Sequence, residues 1–131
     1  VPMKGYKYEL DGKEYTLCYT GEAFFDIADL VGDKEFVDAL SPETKEGFNT
    51  LCKAAAILSE QGELVRRYFG YEPGDVLDAE GLRLTLPPVD KVGLYQAVLG
   101  AIILGCKREI TDKSKEVSLT RLAQLKKKES D

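Results

Sequence analysis

Two stretches near the start of the chain alternate apolar and polar residues with a period of two: Tyr6-Lys7-Tyr8-Glu9-Leu10 and Glu14-Tyr15-Thr16-Leu17-Cys18-Tyr19. Asp11-Gly12 stands between them, and an Asp-Gly pair tolerates the positive φ angles of a tight two-residue loop. A β-hairpin over residues 6–19 is therefore predicted. Tyr6, Tyr8 and Leu10 share one face of its first strand, and Tyr15, Leu17 and Tyr19 share one face of its second. A lone hairpin is barely stable in water, so this one has to lean on other elements.

The period then lengthens to that of a helix. Thr20 is a capping residue, Ala23, Phe24, Ile27, Ala28 and Val31 recur at helical spacing, and Gly32 is placed to end the helix in the left-handed conformation. Phe36-Val37-Asp38-Ala39-Leu40 reads as one or two more turns. Ser41-Pro42-Glu43 reads as the next helix start, with a cap, a proline at the first helical position and a carboxylate in the first turn. Phe48, Leu51, Cys52, Ala55 and Leu58 form the stripe of that helix. Gly62 either bends or breaks it before Leu64, Val65, Tyr68 and Phe69 carry the pattern on to Gly70, so one kinked helix and two helices both fit.

From Tyr71 to Pro88 the chain is punctuated by Pro73-Gly74, Asp78, Gly81 and Pro87-Pro88, and Leu82-Arg83-Leu84-Thr85-Leu86 alternates like a short strand. The segment is either an ordered connector or a mobile arm. Val76, Leu77, Leu82, Leu84 and Leu86 argue for at least partial docking. Pro88 opens the most hydrophobic helix, Val89 to Cys106. Its unbroken apolar run, Ala97 to Leu104, falls far short of the about 20 residues that cross a bilayer, so no membrane span is expected. Gly93, Ala97 and Ala101 recur every fourth position, a small-residue face on which another helix can approach closely. The helix is expected at the centre of the core. The sharper alternative reserves part of its surface, at Val98, Ile102 and Ile103, for a partner.

After Gly105 the sequence turns polar and charged, and the stretch Val117 to Leu125 places leucines at Leu119, Leu122 and Leu125. An amphipathic segment of that length cannot hold a helix by itself in water; it packs on the domain or folds on a partner. The pattern as a whole predicts an α+β fold: a mostly helical single domain whose N-terminal β-hairpin packs on about four helices. That domain is expected over residues 1–110, with a charged linker and short amphipathic tail over 111–131.

Composition narrows the chemistry. The 131 residues include no histidine and no tryptophan, which excludes histidine-based triads, zinc-protease motifs and most catalytic zinc sites. The net charge of −5 disfavours nucleic acid, and the one basic run is Lys126-Lys127-Lys128. Cys18, Cys52 and Cys106 are far apart, lack metal-ligand spacing and sit in apolar stretches, so all three are expected to be buried thiols of a reducing cytoplasm. The N-terminal strand pattern is not that of a secretion signal. Asp26, Asp29, Asp33 and Asp38, like Glu60, Glu63, Glu72 and Asp75, read as solvated faces and match no calcium loop. Arg66 and Arg67 beside Tyr68 could grip a phosphate, but surface ion pairs with neighbours such as Glu63 are the better account. The hairpin tyrosines lack the flanking cations of a base-stacking platform. No catalytic residue, cofactor or metal site is predicted, and the chain is read as a non-enzyme that works by protein contact.

The segments Lys7 to Leu17, Tyr19-Thr20-Gly21-Glu22-Ala23-Phe24-Phe25-Asp26-Ile27 and Leu30-Val31-Gly32 resemble the tail assembly chaperones of long-tailed bacteriophages and their prophages. The ending is similar too: an apolar helix, a charged linker, Val117 to Leu125 and a lysine-rich finish. The resemblance covers the first third and last quarter of the chain and does not extend to Phe36–Pro88. It implies a small non-catalytic protein of the bacterial host cytoplasm. Such a protein keeps the apolar helices of the tape-measure protein soluble, aids tail-tube assembly and leaves the finished virion. In that family a longer product often arises by frameshifting near the end of the gene. The expected partner contacts are Leu119, Leu122 and Leu125, then Val98, Ile102 and Ile103, with homo-oligomers also in view. The rival readings are a structural tail component, such as a completion or connector subunit, and a small regulatory protein acting by protein contacts.

Overall fold

Strand β1 (Tyr6–Leu10) pairs antiparallel with β2 (Lys13–Leu17) in the register Tyr6↔Leu17, Tyr8↔Tyr15 and Leu10↔Lys13, in a computed structural model that describes residues 5–106. Asp11 and Gly12 take φ angles of 54° and 79°, the positive pair that a two-residue hairpin loop with the right twist demands. Tyr6, Tyr8, Leu10 and Tyr15 pack against the core that Leu17 enters, while Lys7, Glu9 and Glu14 face solvent.

Helix α1 (Gly21–Val31) begins where expected: the Thr20 hydroxyl accepts from the Ala23 N–H at 3.1 Å. Its apolar stripe buries Ala23, Ile27 and Val31, and it stops at Gly32 with φ 66°. After the single turn α2 (Phe36–Ala39), α3 (Lys45–Tyr68) runs unbroken for 24 residues, about 36 Å at 1.5 Å per residue. Its cap is Thr44, whose hydroxyl accepts from the Gly47 N–H at 2.9 Å, so the start predicted at Ser41-Pro42-Glu43 falls too early. The Ser41 hydroxyl instead accepts from the N–H only two residues on, at Glu43, which closes a turn ahead of the helix.

Gly62 does not break α3, which continues as one helix to Tyr68. A Cβ at this position would lie 1.9 Å from the Thr16 carbonyl oxygen, so the glycine is a notch into which β2 settles. Just beyond the strand the Cys18 N–H donates to the Leu58 carbonyl at 3.0 Å, which bonds hairpin to helix directly. Thr16 is buried at this seam although it lies on the opposite strand face from Tyr15 and Leu17.

The connector docks on α3, and residues 82–85 are helical rather than a strand, with Leu86 as the extended cap. Asp78 caps α4 (Ala79–Thr85) by accepting from the Gly81 N–H at 2.8 Å. Leu82 and Leu86, four residues apart, are buried with Leu77, while Leu84 is 77% exposed. A 3-10 turn (Pro88–Asp90) then leads into α5 (Lys91–Cys106). Helix α3 is the central rod: β2, α1, α2, α4 and α5 all pack on it, and β1 lies against α5. Leu17, Ile27, Leu40, Leu51, Leu58, Leu94 and Val98 are the largest apolar side chains fully enclosed between them. The result is an α+β, mostly helical single domain with an N-terminal hairpin. The linker and tail expected over 111–131 lie outside the described residues.

Candidate functional site

No charged residue occurs between Val92 and Cys106, so beyond Lys91 α5 is uncharged on every side and mostly apolar, with Gln96 as its exposed polar side chain. Leu94, Ala97, Val98, Ala101 and Ile102 point into the core. The other side carries Val92, Gln96 and Ile103, which fall on one stripe because successive residues are 100° apart. Val92 is 53% exposed and Ile103 is 58% exposed, with Leu99 half-buried at the edge and exposed Val89 just ahead of the helix. The stripe spans about 16 Å, three turns of helix.

The expected contact residues separate on this geometry. Val98 and Ile102 are buried in the core and offer nothing to a partner, which corrects their assignment. Ile103 is on the outward stripe, one residue and 100° away from Ile102. Leu119, Leu122 and Leu125 lie outside the described residues. The small-residue face is not a continuous helix seam. Ala97 and Ala101 are buried, but a Cβ at Gly93 would meet open space, and Gly100 takes the Tyr6 ring at a distance that no Cβ would permit.

A second apolar surface sits on α1 and was not predicted. Phe24 and Phe25 meet edge to face with centroids 5.1 Å apart, and Tyr19 lies 6.3 Å from Phe24. Phe25 is 68% exposed. The signal was available in the doublet itself, because two adjacent phenylalanines on a helix cannot both face the core. Tyr19 also packs on Gly105, which ties this surface to the end of α5. Burial, followed by the nearby Cys106, pushes the Tyr19 hydroxyl above its usual pKa. A third cluster, with Tyr68 and Phe69 edge to face at 5.1 Å, ends α3 near exposed Leu64 and Tyr71.

The polar groups inside the fold are occupied in holding it together. Ser59 donates to the Ala56 carbonyl at 3.1 Å and accepts from the Leu77 N–H at 2.8 Å. Gln61 accepts from the Thr20 hydroxyl at 2.6 Å and donates to Glu22 at 2.9 Å. Glu63 pairs with Arg66 at 3.2 Å and Arg67 at 3.5 Å and accepts from the Gly74 N–H. Arg66 donates to the Glu72 carbonyl at 2.8 Å as well. The arginine pair is therefore engaged in tethering the connector rather than presented to a phosphate.

Cys18 and Cys52 are buried, and burial pushes both thiols up, Cys52 to about 11. Cys106 is exposed, which corrects the expectation that all three are enclosed; it occupies the last position of α5. A groove of about 300 Å³ between the hairpin loop and α4 is lined by Leu10, Tyr15, Leu77 and Leu82. Two of its three charged members are engaged: Asp78 caps α4, and Lys13 pairs with Asp75 at 3.5 Å; the third is Asp11 of the hairpin loop. Among the described residues no three histidine, cysteine or carboxylate side chains gather to hold a metal ion.

By length and composition alone, Pro88–Cys106, 19 residues at a mean hydropathy of 1.4, could cross a bilayer, which is longer than the eight-residue run Ala97–Leu104 suggests. Here one side of it builds the core with α3 and the hairpin. No family model matches the chain, and no curated protein or solved structure matches it either.

Proposed function

We propose that this is a non-catalytic protein that binds apolar helical segments of another protein, in the manner of the phage tail assembly chaperones its sequence resembles. The observation that carries the reading is the outward stripe of α5, Val92, Gln96 and Ile103, with no charge for three turns. A helix that is apolar all round is ordinarily enclosed all round; this one is enclosed on one side only. Such a stripe suits the apolar face of a second helix laid along it, with anchors every third or fourth residue. The acidic surface keeps the holder itself dispersed, and contacts of this size release their cargo readily. On this reading the partner is a tape-measure or tail-tube protein in the cytoplasm of a bacterial host.

Co-expression tests it. The soluble yield of a phage tape-measure protein is expected to rise when it is made together with this chain. Val92→Asp and Ile103→Asp each put an unpaired charge into the contact and are expected to weaken binding at least about tenfold, the equivalent of about 1.4 kcal/mol. Glu60→Lys, on the exposed face of α3, is expected to leave binding unchanged. Equal rescue by the parent and both aspartate variants would overturn the reading.

A further inference from the structure

The aromatic surface of α1 is flanked by carboxylates. Glu22 and Asp29 are respectively three residues before and four after Phe25, and Asp26 follows it, so all of them border the exposed ring. Among the described residues, Asp26 and Asp29 form no ion pair. The face is thus greasy at its centre and negative at its rim.

One segment of the same chain has the opposite character. Residues 107–131 hold eight of the 18 basic residues and five of the 23 acidic ones, so they carry +3 while residues 1–106 carry −8 of the total of −5. Within them Leu119, Leu122 and Leu125 recur every third residue, next to Arg121 and Lys126-Lys127-Lys128. The departure point matters as well. Gly105 lies against Tyr19, Tyr19 against Phe24 and Phe24 against Phe25, so the chain leaves α5 beside this very surface. The 13 residues from Cys106 to Leu119 reach at most about 40 Å, ample for a return.

We infer that residues 117–125 fold back and cover the Phe24–Phe25 face of α1, with their leucines on the rings and Arg121 and Lys126–Lys128 against Glu22, Asp26 and Asp29. Tethering makes the contact intramolecular, because a short linker holds the segment at a millimolar effective concentration, on the order of 1 mM. The contact stands independently of which protein the outward stripe of α5 binds.

The chain has no tryptophan, so Phe25→Trp in the full chain is a single, background-free reporter. Its emission is expected at shorter wavelength and protected from iodide quenching. Adding Leu119→Ser, Leu122→Ser and Leu125→Ser is expected to move the emission to that of a solvated indole, with a loss of helix by circular dichroism no larger than residues 117–125 themselves account for. Lys126→Glu, Lys127→Glu and Lys128→Glu together are expected to give part of the same shift, as is high salt. Hydrogen exchange checks the inference with Phe25 intact: amides of α1 are expected to exchange several-fold faster in the triple-serine variant than in the parent. Identical emission with and without the three leucines, together with unchanged exchange, would overturn the inference. So would a blue shift that appears only as protein concentration rises, which would place the segment of a second copy on the face.

Discussion

Helices α3 and α5 pack against each other and both build the core, yet they treat their outward sides in opposite ways. The outer side of α3 carries Lys53, Glu60 and Arg67, and even its enclosed polar side chains, Ser59, Gln61 and Glu63, each fasten a neighbouring segment. The outer side of α5 carries Val92, Gln96 and Ile103 and fastens nothing among the described residues. The contrast separates two uses of an apolar residue. On α3 it stabilises the fold; on the outer side of α5 it leaves a surface whose affinity for other apolar surfaces is unspent.

That distinction can be broken by substitution. Leu94→Ala, on the enclosed side of α5, is expected to cost about 3 kcal/mol in urea unfolding, through lost burial and the cavity left behind. Ile103→Ser, nine residues along on the outer side, is expected to change stability by less than about 0.5 kcal/mol. Comparable losses at both sites would show that α5 is enclosed all round. Gly62→Ala addresses α3. It adds helix propensity but drives a methyl group into the Thr16 carbonyl, and a net loss of about 2 kcal/mol is expected as the hairpin is pushed off its notch. A more stable Gly62→Ala protein would mean that β2 does not settle there.

Cys52 supplies a probe of the α3 interior. Burial raises its thiol from the ordinary 9.0 to about 11, against a smaller downward pull from Arg83. The folded chain then holds this proton more tightly than the unfolded chain. The resulting stabilisation is complete below about pH 9, falls as pH rises and is gone above about pH 11, a change on the order of 2 kcal/mol. Urea midpoints across that window are expected to fall more steeply for the parent than for Cys52→Ala. Parallel slopes would mean that water reaches the thiol. Cys18 and Tyr19 are raised in the same direction and remain in both proteins, while Tyr8, raised mainly by burial and in smaller part by Cys52, loses that smaller part in the variant, so the difference reports Cys52 together with its coupling to Tyr8.

Elements that declare themselves through local chemistry were legible in the sequence. The Asp11-Gly12 loop, the Thr20 cap and the Gly32 stop act on their immediate neighbours and need no knowledge of the rest of the chain. Where two local rules competed, the sequence misled. Leu82-Arg83-Leu84-Thr85-Leu86 satisfies a period of two, but Leu82 and Leu86 also satisfy a spacing of four, and the Asp78 cap decided in favour of a helix. Gly62 could not be read at all, because its reason for being glycine lies 46 residues away at Thr16. The candidate surface was half legible for a related cause. In a helix apolar on every side the pattern has no phase, so nothing in it distinguishes Ile102, inside, from Ile103, outside.

The length of α3 constrains how this protein can vary. Ser59 and Glu63 anchor the connector at Leu77 and Gly74, and Gln61 anchors the start of α1 at Thr20 and Glu22, all from alternate positions on one helix. Inserting a single residue after Leu51 would rotate all three anchors by about 100° relative to the first half of the helix and shift them by about 1.5 Å. No adjustment of surface side chains could restore them together. An inserted residue is therefore expected to be tolerated in the bend at residues 32–35 and not between Leu51 and Glu63.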